Sequence, residues 1–491
     1  MKNALNKFFK LQENGTTIGT ETIGGLTTFF TMAYIIFVNP AMLSMTGMPQ
    51  EGVFMATVIA SVIGTLIMGF YANVPFAQAP GMGLNAFFTF TVCFGLGFTW
   101  QQALAMVLIC GVVGMIITAT GLRSTLIKSL PPVLKSAIGG GIGLFLAYIG
   151  IKNSGLIKFS ADPGHWVEAN GSAFIDSSAV PAMVNFSNPS VIVAIAGLII
   201  ILVLMALKLK GAILIGIIAT FIISLVTIAS GVSAHYFFPF LPQGSTLSDV
   251  LAGVNFSFAG IGEDIAQIST TAFQIDFAGL FANPQTIIVS IGAIISFILA
   301  DIFDTIGTLI GAGKKSGIFS QEEMDMGTSK QSNRLNKALV ADLTATSVGA
   351  LCGTSNVTTY VESSAGIAAG ARTGLASVVT AIMFLLCIPL VSFIGIIPSV
   401  ATAPALIVVG ILMMGAIADI DWSDFAIAAT AFVTIAFMPF AYSITSGIAV
   451  GFIIYVLLQI VKGNAKKVHP VMYLFTAFFI INYIFTAVNN L

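Results

Sequence analysis

The chain has 491 residues, of which 57% are hydrophobic and only 8% charged, and its formal net charge is −1. That is far more apolar and far less charged than a soluble domain, and it describes a polytopic helical membrane protein. A net charge near zero gives no electrostatic reason to expect a nucleic-acid or acidic partner, so what matters is where the charges fall.

The N-terminus, MKNALNKFFKLQENG, is basic, lacks an apolar core of its own and leads into the first span, so it reads as a cytoplasmic start rather than a cleavable signal. Runs long enough to cross about 30 Å of hydrocarbon at 1.5 Å per residue lie at 26–46, 53–73, 100–121, 133–152, 190–208 and 211–230. They recur at 286–312, 337–352, 374–394, 397–418, 424–440 and 443–461. Two shorter pieces, 77–93 and 354–371, are interrupted by glycine and polar residues and bring the expected count to fourteen. A last apolar stretch, Val471 to Val488, either spans or lies in the interface.

Lys2, Lys7, Lys10, Arg123, Lys128, Lys208 and Lys210 fall on one side of this arrangement. So do Lys314, Lys315, Arg334, Lys337, Arg372, Lys462, Lys466 and Lys467. The opposite loops, 153–189 and 231–285, hold acids and only Lys158 as a base. The positive-inside rule makes the first side cytoplasmic. Cys93, Cys110, Cys352 and Cys387 stand singly in apolar segments, with no metal spacing, and read as packing residues.

The halves resemble each other at a shift of about 270 residues. GLTTFFTMAYIIFVNPAML from Gly25 lies against GAIISFILADIFDTIGTLI from Gly292, Pro131 falls on Pro398, and the piece around Asn85 falls near the one around Glu362. An odd number of spans per half turns the second half upside down, which gives an inverted repeat with its site near the midplane.

Three constellations could carry chemistry. Glu362 is the carboxylate of a polar run, Gly353 to Arg372, whose flanking spans leave no room for an ordinary loop plus a full helix. A charge at the bilayer centre costs roughly 2.5–3.5 kcal/mol on the mildest scale, so such residues face protein or water and mark a pathway. Asp301 and Asp304 are three apart on one helix face, and burial beside a second acid favours an exchangeable proton on one of them. Asp304, on a polar face with Thr305 and Thr308, is the preferred site. The interrupted pieces add Gln78, Pro80, Gly81, Gly83 and Asn85 in the first and Thr358, Thr359, Glu362 and Ser363 in the second. Phe87 is the ring expected to stack on a planar ligand. Glycines here equally serve close helix packing, and most of the forty phenylalanines must be core or lipid-facing.

There is no Walker A loop, no HExxH and no metal cluster, and none of His165, His235 and His469 lies deep within a span. These features predict neither an enzyme nor a cofactor, and they leave a transporter, a channel or a nontransporting receptor.

GGLTTFFTMAYIIFVNP at Gly24, APGMGLNAFF at Ala79, DIFDTIGTL at Asp301 and GTSNVTTYVESSAGIAAGARTGL at Gly353 resemble the AzgA-like branch of the nucleobase-cation symporters. The resemblance implies the uracil and xanthine permease fold: an all-α polytopic protein of seven plus seven inverted spans, with short strands interrupting spans 3 and 10. It implies a core domain at 26–121 and 286–394 (spans 1–4 and 8–11) and a gate domain at 133–230 and 397–461 (spans 5–7 and 12–14). Residues 1–25 would be a cytoplasmic N-terminus and 462–491 a C-terminal segment with no counterpart in the fourteen-span core. By the same resemblance the substrate is adenine, or guanine and hypoxanthine, imported with a proton through the cell membrane. Xanthine, uracil or another small solute is the alternative on this fold. Asp304 matches the span-8 acid, with Asp301 the choice in another register; Thr308 matches a second polar position, Glu362 the span-10 glutamate and Asn85 the span-3 asparagine. Related folds form dimers through the gate domain, which would make this chain a homodimer.

Overall fold

The computed structural model describes residues 2–120, 129–161, 166–169, 172–175, 179–184, 186–251, 266–282, 284–316, 318–319 and 333–489. Arg123 and Lys128, two of the bases behind the expected orientation, lie outside the described residues, as do parts of both long loops.

Among the described residues nine helices are long and apolar enough to cross a membrane. Span 1 is Ile18–Met32 continued by Ile35–Leu43. Its break at Ala33 and Tyr34 comes ahead of Pro40, whose missing N–H removes one rung of the helical ladder. Span 2 is Gln50–Ile67, and span 4 is Trp100–Ala119, started by a capping box between Thr99 and Gln102. Spans 5, 6 and 7 are Pro132–Asn153, Pro189–Ala206 and Ala212–Ala229. In the second half, spans 8 and 9 are Pro284–Ser316 and Arg334–Cys352, and span 11 is Gly374–Leu385. Spans 12, 13 and 14 are Ser399–Met413, Phe425–Phe440 and Ile444–Val461.

Spans 3 and 10 are the interrupted ones. Span 3 is a strand, Gln78–Pro80, then a helix Met82–Ala86 that widens into π-type turns over Phe87–Gly95. Span 10 is a strand, Val357–Thr359, then the short helix Ser363–Ala368. The strands pair antiparallel, with Gln78 opposite Thr359 and Pro80 opposite Val357. Extended backbone inside a bilayer must find its hydrogen bonds within the protein, and each strand satisfies the other. The pairing is extended by Gly81 N–H to the Asn356 carbonyl (2.9 Å) and Tyr360 N–H to the Ala77 carbonyl (3.0 Å). Because the strands are antiparallel, the chain leaves them in opposite directions, toward Phe90 in span 3 and toward Arg372 in span 10.

The order of elements therefore repeats. Extended Pro131 and Pro398 each sit just before the helix of their half, spans 5 and 12, as the alignment of the halves requires. Packing divides the spans into two groups: 1, 2, 4, 9 and 11 pack on one another, and 5, 6, 7, 12, 13 and 14 do likewise. The first group is tightened by glycine, for a Cβ on Gly374 of span 11 would stand 2.0 Å from the Gly69 carbonyl oxygen beside span 2.

The loop between spans 5 and 6 is not bare, since Ile157–Ala161 pairs with Ala179–Met183 and Trp166–Ala169 with Ser172–Ile175. The last apolar stretch is a helix, Pro470–Asn489, running antiparallel along span 14. Phe452 of span 14 meets Phe475 and Phe479 at ring separations of 6.0 and 5.8 Å, and Tyr483 Oη reaches the Ser446 carbonyl at 3.5 Å. It follows span 14 through its depth and does not lie across its end.

Candidate functional site

A cavity of about 60 Å³ lies where the two strands cross spans 1, 8 and 12. That is several times the roughly 10–15 Å³ one water needs. Its wall is made by Tyr34 of span 1, Gly81 to Gly83 of span 3, Asp304 and Thr308 of span 8, Thr358 to Glu362 of span 10, and Val409 and Met413 of span 12.

Two carboxylates face this space, each held by a hydroxyl. Tyr34 Oη donates to Glu362 Oε1 at 2.7 Å. Thr358 Oγ1 donates to Asp304 Oδ2 at 3.3 Å. Glu362 stands at the start of Ser363–Ala368, yet its side chain does not cap that helix; it turns to the cavity. Tyr360 also lines the wall, its hydroxyl donating to the Pro80 carbonyl at 2.6 Å and so stapling one strand to the other.

Behind the strands lies a third carboxylate. Asp342 of span 9 is fully buried, and its Oδ1 accepts from both the backbone N–H and the hydroxyl of Thr359, each at 2.8 Å. Its Oδ2 accepts from Thr305 Oγ1 at 2.8 Å. One side chain thus ties span 9 to the span-10 strand and to span 8 next to Asp304.

Of the residues expected from sequence, Glu362, Asp304, Thr308, Thr358, Thr359, Gly81 and Gly83 meet at the cavity. The others sit one layer back. Asn85 accepts a short hydrogen bond from Ser355, and Ser363 Oγ accepts from the Ala77 N–H at 3.0 Å. Asp301 is buried beside Asn356, whose Nδ2 stands 3.5 Å from its Oδ1. Phe87 packs edge-on against Phe297 at 4.4 Å and is absent from the cavity wall, where the rings are Tyr34 and Tyr360. Tyr34 and Asp342 carry site geometry that sequence reading missed. Asp342 had a usable signal, a carboxylate inside an apolar span.

The cavity has an exposed side. Its lip is Val361, 55% exposed, and there is open space around Gly307 and Gly415, the first one turn past Asp304 and the second just past Met413. These positions lead toward the end of the bundle where Arg372 lies. The opposite end is closed by aromatic rings: Phe90 of span 3 meets Tyr442 at 5.5 Å and Phe145 of span 5 at 6.2 Å, and Lys152 stands 4.9 Å over the Tyr442 ring. Thr91 Oγ1 accepts from the Ile444 N–H at 3.1 Å beside them. These contacts join span 3 to span 5 and to the start of span 14. Among the described residues no group of three His, Cys, Asp or Glu could hold a metal ion.

Residues 19–450 match the model of a family described as the Permease family. Guanine/hypoxanthine permease PbuO of Bacillus subtilis is 39% identical over 96% of this chain and 99% of its own. Adenine permease AdeP of Escherichia coli is 36% identical over 98% of this chain and 96% of its own. Among solved structures, the transmembrane domain of the cyanobacterial bicarbonate transporter BicA superposes with a TM-score of 0.57, covering 87% of this chain and 97% of that one. At 15% identity that likeness concerns the fold, the inverted repeat of seven spans, and not the solute.

Proposed function

The chain belongs to this permease family, on its branch of nucleobase permeases, and from that premise we propose that it imports a purine base, adenine or guanine and hypoxanthine, together with a proton. The observation that carries the proposal is the pair of carboxylates, Glu362 and Asp304, on the wall of a cavity formed where the two strand-interrupted spans cross. A purine edge offers N–H donors, and a carboxylate in a site of low dielectric is a strong and selective acceptor for them. Glu362 accepts from the base, and Asp304 binds base or proton, with Asp301 behind it. Thr359, Thr308 and Gly83 complete the wall. Asn85 and Ser363 hold the two interrupted spans in place, and Tyr360 supplies the ring face that Phe87, packed on Phe297, does not.

Spans 1–4 and 8–11 form the core, and spans 5–7 and 12–14 the gate. With the basic end of the bundle placed in the cytoplasm, the site faces inward past Val361 and is closed outward by Phe90, Phe145 and Tyr442. Moving the core against the gate would break that seal and close the lip at Val361, so that the site faces each side in turn. A small-anion carrier on the same fold is disfavoured, because two carboxylates at the cavity would repel the anion.

The test is uptake of radiolabelled adenine, and separately hypoxanthine, in cells lacking their own purine permeases, with and without a protonophore. Accumulation of either base that collapses with the protonophore is the expected result. Failure of both bases, with the protein demonstrably in the membrane, overturns the purine assignment.

A further inference from the structure

A buried tyrosine hydroxyl needs an acceptor, and a nearby backbone carbonyl usually serves. Tyr34, 1% exposed at the break of span 1, uses Oε1 of the cavity glutamate instead, at 2.7 Å. The same stretch of span 1 touches Glu362 a second time, since Thr31 Oγ1 lies 3.4 Å from its backbone carbonyl. A carboxylate with both oxygens free matches two parallel N–H donors, the geometry of a bidentate pair. With Oε1 tied to a phenol, the carboxylate is fixed in rotation and offers the cavity chiefly its other oxygen.

Resting on the proposal that the cavity takes a purine, we infer that Tyr34 is a positioning and specificity-determining residue: it fixes Glu362 to accept a single N–H and so sets the preference among purines. Guanine presents two adjacent donors, a ring N–H and an exocyclic amine, whereas hypoxanthine presents the ring N–H without the amine. Tyr34 therefore favours hypoxanthine relative to guanine. Removing its hydroxyl frees the carboxylate to turn and engage both donors of guanine.

The experiment is equilibrium binding of labelled guanine and labelled hypoxanthine to purified wild type and Tyr34→Phe in detergent, with thermal melting of each protein as a check on folding. A hydrogen bond to a charged group is worth about one decade in affinity. The ratio of guanine to hypoxanthine affinity is expected to move about tenfold toward guanine in Tyr34→Phe, while the fold is retained. Glu362→Gln supplies a second arm: with the carboxylate gone, adding Tyr34→Phe should move the ratio less than twofold, because the effect acts through Glu362. A ratio unchanged in Tyr34→Phe, or an equal shift in both backgrounds, overturns the role of Tyr34 while leaving the purine assignment standing. Wild type that binds neither base, nor adenine, overturns the assignment itself.

Discussion

Asp342 is the residue on which the interior of the site depends most directly. It accepts from Thr359 twice and from Thr305 once, so its removal leaves a strand N–H and two hydroxyls without their acceptor. Each buried donor so stranded costs roughly 1–3 kcal/mol. Asp342→Ala should therefore lower the melting temperature of the purified protein by several degrees and abolish uptake; a variant with wild-type melting and uptake would show that Thr359 finds another partner. Glu362 and Asp304 were legible because a carboxylate in an apolar span stands out. Asp342 carried the same signal but follows Arg334 and Lys337 closely, so it reads as the charged start of a helix. Tyr34 was not legible at all. A tyrosine in an apolar run is ordinary, and its partner lies 328 residues away.

At the scale of elements, two junctions should be sensitive for different reasons. Glu21, buried on span 1, accepts from the backbone N–H groups of Arg372, Thr373 and Ala376 at 2.8, 3.2 and 3.2 Å. It therefore caps span 11 from a distant element, favourably placed at a helix N-terminus. Glu21→Ala should reduce stability by about 1–3 kcal/mol, read as a lower melting temperature at preserved membrane insertion. Gly374→Ala meets a harder limit. Its Cβ would stand 2.0 Å from a backbone carbonyl oxygen of Gly69, which cannot rotate away. We expect little folded protein in the membrane, and wild-type levels would mean that spans 2 and 11 can separate at small cost. Most span limits followed from apolar run length. The interruption of spans 3 and 10 was foreshadowed by glycine and polar residues between apolar runs, whereas the strands there followed only from the resemblance to the uracil and xanthine permease fold. Their mutual pairing could not be read from local pattern, since Gln78 and Thr359 are joined only by the fold. The final helix was undecided in sequence because length and polarity do not distinguish crossing from lying flat; in the structure it packs antiparallel along span 14 through Phe452.

For the molecule as a whole, the cavity has an exposed wall at Val361, while away from it Phe90 of span 3 packs against the rings of Phe145 on span 5 and of Tyr442 just before span 14. If that contact is the outer gate of the proposed cycle, shortening it should favour the opposite state. Phe90→Ala should increase the reactivity of Cys93, now buried one turn beyond Phe90, toward a membrane-impermeant thiol reagent added outside. Unchanged reactivity would place the seal elsewhere. The proposed cycle depends above all on recognition of a purine by the Glu362 carboxylate. The most direct measurement is uptake of labelled hypoxanthine and adenine by Glu362→Gln beside wild type, at equal membrane levels. Accumulation by wild type and none by the variant is expected; accumulation at the wild-type rate by Glu362→Gln would remove the carboxylate from recognition of the base.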